Sequence, residues 1–362
     1  DVQFKGRNGQ REGLQPALDA KQTIDLFDED VNRVNGSWGS YLMDLEELAK
    51  DYEAEHGNET LFAIARNAAG GTLKSIPYQP SIFGFFYNQT LFDKAGIAAA
   101  PTTWEEFDAA CAKLKEAGIT PITGDTTYMT SFMGYHLGQD GVKALVNDPA
   151  IQEKIDAGEV EDVNWDDPRV AQAAKDIEDF AKKGYFSENI ASNVYPAGQN
   201  QEFAPGEAAI IICGSWLPNE IKASVAEDLT WGYFNYPSVK DGTDDNTANN
   251  IANQVFAINK ESKMAEEAME LITYITTGEF DNKMTEQPLS IPADKANSDA
   301  WPTELEAVKP GFEATATYYD WAVGAENNGD LTPVLNENTV KLMAGDMSAD
   351  EFVKSCKSAA GE

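Results

Sequence analysis

An α/β fold in two domains is what this sequence predicts, on three observations. Short apolar runs of strand length alternate with amphipathic helical patterns along the chain. The run holding Ile82, Phe83, Phe85, Phe86 and Tyr87 has little polar relief, which suits a strand covered on both faces rather than one side of an antiparallel sheet. At 362 residues the chain exceeds what one hydrophobic core usually supports, and a hydrophobic content of 42% is enough to fill two.

The elements follow in order. Val2 to Phe4 reads as an opening strand, and a helix is expected near residues 41–55, presenting Leu42, Leu45, Leu48 and Tyr52. After the aromatic strand, Thr103 and Glu106 have the spacing of a capping box, Trp104, Phe107, Cys111 and Leu114 share a helix face, and Gly118 provides the left-handed stop. A further helix starts with Asp167 as cap and Pro168 in its first turn, buries Val170, Ala174, Ile177 and Phe180, and ends at Gly184. Residues 208–213 and 254–258 read as strands, and 263–276 as a helix bearing Ala268, Leu271, Ile272 and Ile275. Ser348 opens a last capping box before a helix reaching Cys356. Turn formers mark loops at 68–72, 241–250 and 287–292, and no internal repeat is present.

Composition excludes several functions. With 27 basic against 61 acidic residues the formal charge is −34, which repels nucleic acid and anionic lipid. The acidic residues are spread along the chain, as in a highly soluble secreted protein or one from a salt-adapted organism. Cys111, Cys213 and Cys356 are too widely spaced for a disulfide framework or metal motif, and His56 and His136 have no partner at ligand spacing. Phosphate-loop, dinucleotide, GxSxG and HExxH motifs are absent, so no cofactor is expected. No apolar stretch is long enough to cross a bilayer as a helix.

The densest polar cluster runs from residue 24 to 39. Asp28, Asp30 and Asn32 have the spacing of calcium-loop ligands, but Arg33 stands where the turn needs glycine and Gly39 where the closing glutamate belongs. Asp28, Glu29 and Asp30 could instead serve as a glycosidase acid and base, hold sugar hydroxyls, or form a solvated acidic loop. Trp216 follows a strand-like run, where an indole can stack on a sugar ring or sit in the core.

Three segments together carry a family resemblance: FFYNQTLFDKAG (85–96), PTTWEEF (101–107) and AGITPI (117–122). They resemble the extracellular solute-binding proteins of carbohydrate ABC transporters, family 1, the group that includes maltose-binding protein. The resemblance implies a type II, two-lobed periplasmic-binding-protein fold with interleaved lobes and a hinge. One lobe would hold residues 1–80 and 252–290, the other 83–250 and 292–362, with crossings near 79–82, 250–253 and 289–292. It also implies a strand and helix, about 30 residues, ahead of the opening strand, so a partial or processed chain is expected.

The implied function is to bind a sugar, an oligosaccharide by its several aromatics, between the lobes and to deliver it to a membrane permease. In the first lobe Glu29, Asp30, Asn32 and Arg33 are the implied ligand contacts, with Trp38 as a stacking face and Arg7 and Asn8 in the loop after the opening strand. In the second, residues 203–216 (FAPGEAAIIICGSW) match the family's glycine-acidic turn, strand and Gly-x-Trp, which favours stacking at Trp216. Tyr128, Tyr319, Trp321, Asn253 and Ser81 complete the candidates. A monomeric bacterial protein, periplasmic or lipid-anchored at the cell surface, is expected. The competing readings are a glycan-acting enzyme using paired carboxylates and a binder of a peptide or polyamine.

Overall fold

The computed structural model describes residues 7–139, 165–225, 229–239, 248–286, 289–297, 300–315, 317–318 and 331–361. Two compact units divide the chain, one of Asp1–Ser81 and Ala252–Leu305, the other of Ile82–Ile251 and Glu306–Glu362. The described strands are β1 Leu26–Asp30, β2 Ile76–Asn88, β3 Thr120–Thr123, β4 Ala208–Gly214, β5 Trp231–Phe234, β6 Ala248–Asn249, β7 Ile251–Ile258 and β8 Thr317–Tyr318. The opening strand expected at Val2 to Phe4 lies outside the described residues.

In the first unit β1 pairs antiparallel with β7, from Leu26 opposite Ile258 to Asp30 opposite Gln254, and β7 lies between β1 and β2. Around this sheet stand α1 Arg7–Asp19, α2 Val31–Trp38, α3 Lys50–His56, α4 Glu59–Ala68 and the helix Ala265–Thr276. Phe27, Val31, Val34, Trp38, Leu45, Phe62, Val255 and Ile272 form the buried core. Two expectations are corrected here. Arg7 and Asn8 open helix α1 instead of lying in a loop. The helix expected over 41–55 begins only at Lys50, because the backbone before it is engaged elsewhere: Leu42 bridges to Asn259, the Met43 N–H donates to the Ile258 carbonyl at 2.9 Å, and Leu45 N–H to Leu73 at 2.8 Å.

The returning segment of this unit continues past residue 290 to Leu305. Side chains explain why. His56 Nδ1 meets both oxygens of the buried Asp294 at 3.1 Å, and Lys295 Nζ donates to the carbonyls of Glu53 and Ala54 at 3.0 and 2.7 Å, tying 294–295 to α3.

In the second unit the carboxy-terminal part of β2 is flanked by antiparallel β4 and β5, and β3 lies parallel to β4 on its other side. Phe85 and Phe86, on opposite faces, show why the aromatic run needs cover on both. Both are fully buried: Phe85 packs on Phe107 at 5.0 Å, Phe132 at 5.7 Å and Phe234 at 5.0 Å between ring centres, and Phe86 on Tyr233 at 5.3 Å. Helices α5 Gln89–Lys94 and α6 Trp104–Glu116 follow β2, and α7 Thr130–Gln139 follows β3. The capping box of Thr103 and Glu106 forms, and Gly118 takes φ 74° past the helix end. The helix Pro168–Lys183 is capped by Asp167 and closed by Gly184 at φ 68°, and the helix Ala349–Ala360 has the Ser348–Glu351 capping box. All three cysteines are free and buried. Burial pushes the Cys356 thiol up to about 12 and raises those of Cys111 and Cys213.

One surface network ties α3 and α4 of the first unit together. Arg66 forks to Glu46 at 3.0 and 2.8 Å and to Glu53 at 2.7 and 2.6 Å, and the Leu73 N–H also donates to Glu46 at 2.8 Å. The Arg66 hydrogen bonds, then that of Leu73, lower the Glu46 carboxyl from 4.5 to about 2. A depressed folded pKa adds stability above pH 4.5 that is lost as pH falls toward about 2. Because the pair is partly exposed, Arg66→Met is expected to cost on the order of 1 kcal/mol at neutral pH. Urea titrations across this range check it: the deficit shrinks as Glu46 protonates.

Candidate functional site

In the first unit the acidic cluster sits where β1 passes directly into α2. Asp30 caps α2, its Oδ1 accepting the N–H groups of Asn32 at 3.0 Å and Arg33 at 3.4 Å. Burial raises the Asp30 pKa against those two hydrogen bonds. Asn32 and Arg33 are exposed on the first helical turn, so Asp30, Asn32 and Arg33 come together at one helix start. Glu29 points the other way along the pleat, fully buried, with Oε1 accepting the Asp30 N–H at 3.1 Å. Trp38 is a correction: it belongs to the core, 3% exposed and edge-on to Phe27 at 5.8 Å, because α2 turns Val31, Val34 and Trp38 inward together. It offers no open ring face.

Asn253, on β7, is fully buried, and neither its Oδ1 nor its Nδ2 has a hydrogen-bond partner among the described residues. Ser81 is half-buried in β2, Arg7 and Asn8 stand at the start of α1, and Tyr319 and Trp321 lie outside the described residues. Sequence reasoning missed the other face of this sheet, where Tyr78 stacks on Phe256 at 4.1 Å and its hydroxyl donates to Asp28 Oδ2 at 2.9 Å. Tyr78 lies in the same aromatic-rich run as Phe83, and that was the available signal.

The second unit holds an aromatic cluster. Trp216 follows β4 by two residues, at the start of the short helix Leu217–Ile221, and is half-buried. Its ring meets Phe83 edge-on at 5.2 Å and Tyr128 at 6.0 Å, and Tyr128 meets Tyr195 at 4.7 Å. Two anchors hold the indole. The Nε1–H donates to the Tyr195 hydroxyl at 3.0 Å, and that hydroxyl donates to Glu220. At the other end, a methyl group placed on Gly214 would sit 2.1 Å from Trp216 Cζ3 and 2.4 Å from Cε3. The glycine of Gly-x-Trp is therefore a packing requirement: the six-membered ring occupies the space a side chain would take.

Beside these rings is Asp125, just past β3 and fully buried. Its Oδ1 accepts the N–H groups of Thr127 at 2.5 Å and Tyr128 at 2.9 Å, which shapes the turn carrying Tyr128, while Oδ2 has no partner among the described residues. Burial raises the Asp125 pKa, and Glu220 adds to the rise. Asn200 donates to Glu220 Oε2 at 3.2 Å and leaves its own Oδ1 unpartnered. Asp125, Tyr195, Asn200 and Glu220 were missed in the sequence, where only the position of Asp125 directly after an apolar strand gave a clue. A cavity of about 410 Å³ lies at the opposite end of β3 and β4, lined by Thr120, Ala208 and Glu202. Its Glu202 is occupied by Ser187 at 2.8 Å and Asn189 at 2.7 Å, and Trp216 takes no part in it.

A family model described as bacterial extracellular solute-binding protein matches residues 2–310. The chain belongs to that family. This solute-binding protein is 25% identical over 244 residues to a binding protein of Brucella abortus, covering 64% of the chain and 53% of the relative. The match therefore spans about half the length of that relative. It is 33% identical over 163 residues to the periplasmic sn-glycerol-3-phosphate-binding protein of Agrobacterium fabrum, 39% of this chain and 37% of the other. The solved sugar-binding protein MalE of Xanthomonas citri superposes with a TM-score of 0.78 at 17% identity, covering 100% of this chain and 89% of that one. The fold is thus the α/β, two-lobed fold of periplasmic binding proteins. A solute-binding family supplies a binder and not an enzyme, so the paired-carboxylate glycosidase reading is set aside.

Two outcomes test the site's construction. Gly214→Ala should displace the indole and break its bond to Tyr195, at a cost of about 1–3 kcal/mol for overpacking; denaturant melts and near-ultraviolet circular dichroism read both. Asp125 has a folded pKa raised above 3.8, so its ionisation removes stability as pH rises from 3.8 through the raised value. Asp125→Asn should therefore raise the neutral-pH Tm, with the gain fading as pH falls from the raised value to 3.8.

Proposed function

We propose that this solute-binding protein binds an oligosaccharide and delivers it to the permease of an ABC transporter. The observation that carries the reading is the half-buried indole of Trp216, held at both ends and flanked by Tyr128. A sugar ring presents a flat patch of C–H bonds that an aromatic face can cover, while its hydroxyls need acceptors. Asp125 Oδ2 and Asn200 Oδ1 are buried acceptors in the same cluster, without a partner among the described residues. In the first unit, Asp30, Asn32 and Arg33 supply polar groups of the kind that hold hydroxyls, with Glu29, Asn253, Ser81, Arg7 and Asn8 as weaker candidates. Stacking supplies much of the affinity, since each hydroxyl exchanges a water bond for a protein bond at a net gain of about 1 kcal/mol.

Solute-driven closure of a hinge, action as a monomer and tethering to the membrane by a lipid belong to this reading. A phosphate ester, the class named for the Agrobacterium relative, is disfavoured at the aromatic cluster. The charged groups acting on Asp125 and Tyr195 there are acidic, and the whole chain carries −34. The same acidity keeps a cationic solute such as a polyamine as the second reading.

A thermal-shift screen tests this directly, because a ligand bound only by the native state raises Tm. Neutral oligosaccharides should shift Tm, whereas glycerol 3-phosphate should not. Trp216→Ala should weaken the best saccharide at least about tenfold, equivalent to about 1.4 kcal/mol, by calorimetry. An unchanged affinity would remove Trp216 from the site; a shift with spermidine alone would replace sugar by polyamine.

A further inference from the structure

The two ends of the Trp216 indole are held by different devices, and only one of them is polar. Gly214 leaves room for the six-membered ring, which limits how far the side chain can swing but not how it turns in its slot. The Nε1–H at the other end donates to the Tyr195 hydroxyl at 3.0 Å, and this bond fixes the remaining rotation. A tyrosine hydroxyl that accepts one hydrogen bond must send its own proton elsewhere. Here it goes to Glu220, whose other oxygen accepts from Asn200 Nδ2 at 3.2 Å. Because a carboxylate oxygen accepts, the chain runs from Trp216 to Tyr195 to Glu220, with the Tyr128 side chain as a second hydrogen-bond neighbour of Tyr195. Burial, and then the Glu220 carboxylate, push the Tyr195 pKa up, so the hydroxyl keeps the proton that it donates. Tyr195 also stands edge-on to Tyr128 at 4.7 Å, so one residue touches both rings of the aromatic surface.

From this geometry we infer that Tyr195 and Glu220 are positioning residues: they orient the Trp216 ring before the solute arrives and act on affinity through that ring. The inference rests on the reading that Trp216 stacks on the solute. A side chain already fixed in its bound orientation is spared the entropy of being immobilised on binding, and this is worth about two- to tenfold in affinity for a ring of this size. A tyrosine that carries a proton-ordered bond on to a carboxylate is also a stronger acceptor for the indole N–H than one ending in water.

The experiment is a double-mutant cycle on the full chain, with the saccharide that gives the largest thermal shift as the probe. Tyr195→Phe is expected to lower affinity about three- to tenfold and to move the indole ¹⁵N–¹H resonance of Trp216, assigned by its loss in Trp216→Ala, even without saccharide. In a Trp216→Ala background, Tyr195→Phe should cost nothing further. Glu220→Leu should reproduce the effect of Tyr195→Phe, and Glu220→Gln, which keeps an acceptor oxygen for Tyr195, should restore most of the affinity. Equal losses from Tyr195→Phe in both backgrounds would overturn the inference, because Tyr195 would then touch the solute itself. An unmoved indole resonance in Tyr195→Phe would overturn it as well. If Trp216→Ala alone leaves affinity intact, the stacking reading falls and takes this inference with it; if only the cycle fails, the stacking reading stands. Should Tyr195→Phe not fold, Glu220→Leu against Glu220→Gln decides on the same readouts.

Discussion

Everything in the second unit is arranged around the need to cover both faces of β2. Phe83, Phe85 and Phe86 alternate across the pleat without a polar residue to face water, so strands must flank β2 and helices must cover it. β4 meets that need from one side and β5 from the other. The register of β4 then determines the site: pairing Phe83 with Gly214 places a side-chain-free position at the strand end beside an aromatic ring, where Trp216 folds back. The aromatic surface is a by-product of the pairing that buries the strand.

Local chemistry was legible in the sequence, and tertiary chemistry was not. The Thr103 and Ser348 capping boxes, the Asp167 cap with its Gly184 stop and the runs of β4 and β7 depend on neighbours within a few residues, and each formed at the expected place. The stretch before Lys50 carried a helical spacing of leucines, yet its backbone pairs with Asn259, Ile258 and Leu73, partners that no local pattern reveals. Trp38 shows the same limit in one residue: beside an acidic loop it resembled a surface ring, but the helix that Asp30 caps rotates it inward.

For the candidate site the division is similar. Trp216 stood out because it follows a strand-like run, and Tyr128 because it lies in a polar, aromatic loop. Their supporting groups did not, since Tyr195, Asn200 and Glu220 come from separate turns and short helices that meet only through hydrogen bonds to Glu220. In the first unit Asp30 caps a helix, and Glu46 and Glu53 pair with Arg66. In the second, Asp125 is buried with an oxygen that has no hydrogen-bond partner among the described residues, the kind of local cost that clusters at functional sites.

The three cysteines have a practical consequence. Each is free and enclosed, with its thiol held in the protonated, unreactive form by its surroundings. These three thiols are thus expected to be slow toward maleimide dyes, and a cysteine introduced on the surface would react ahead of them. On the proposed reading, a fluorophore attached near Tyr128 in that way would report solute capture optically.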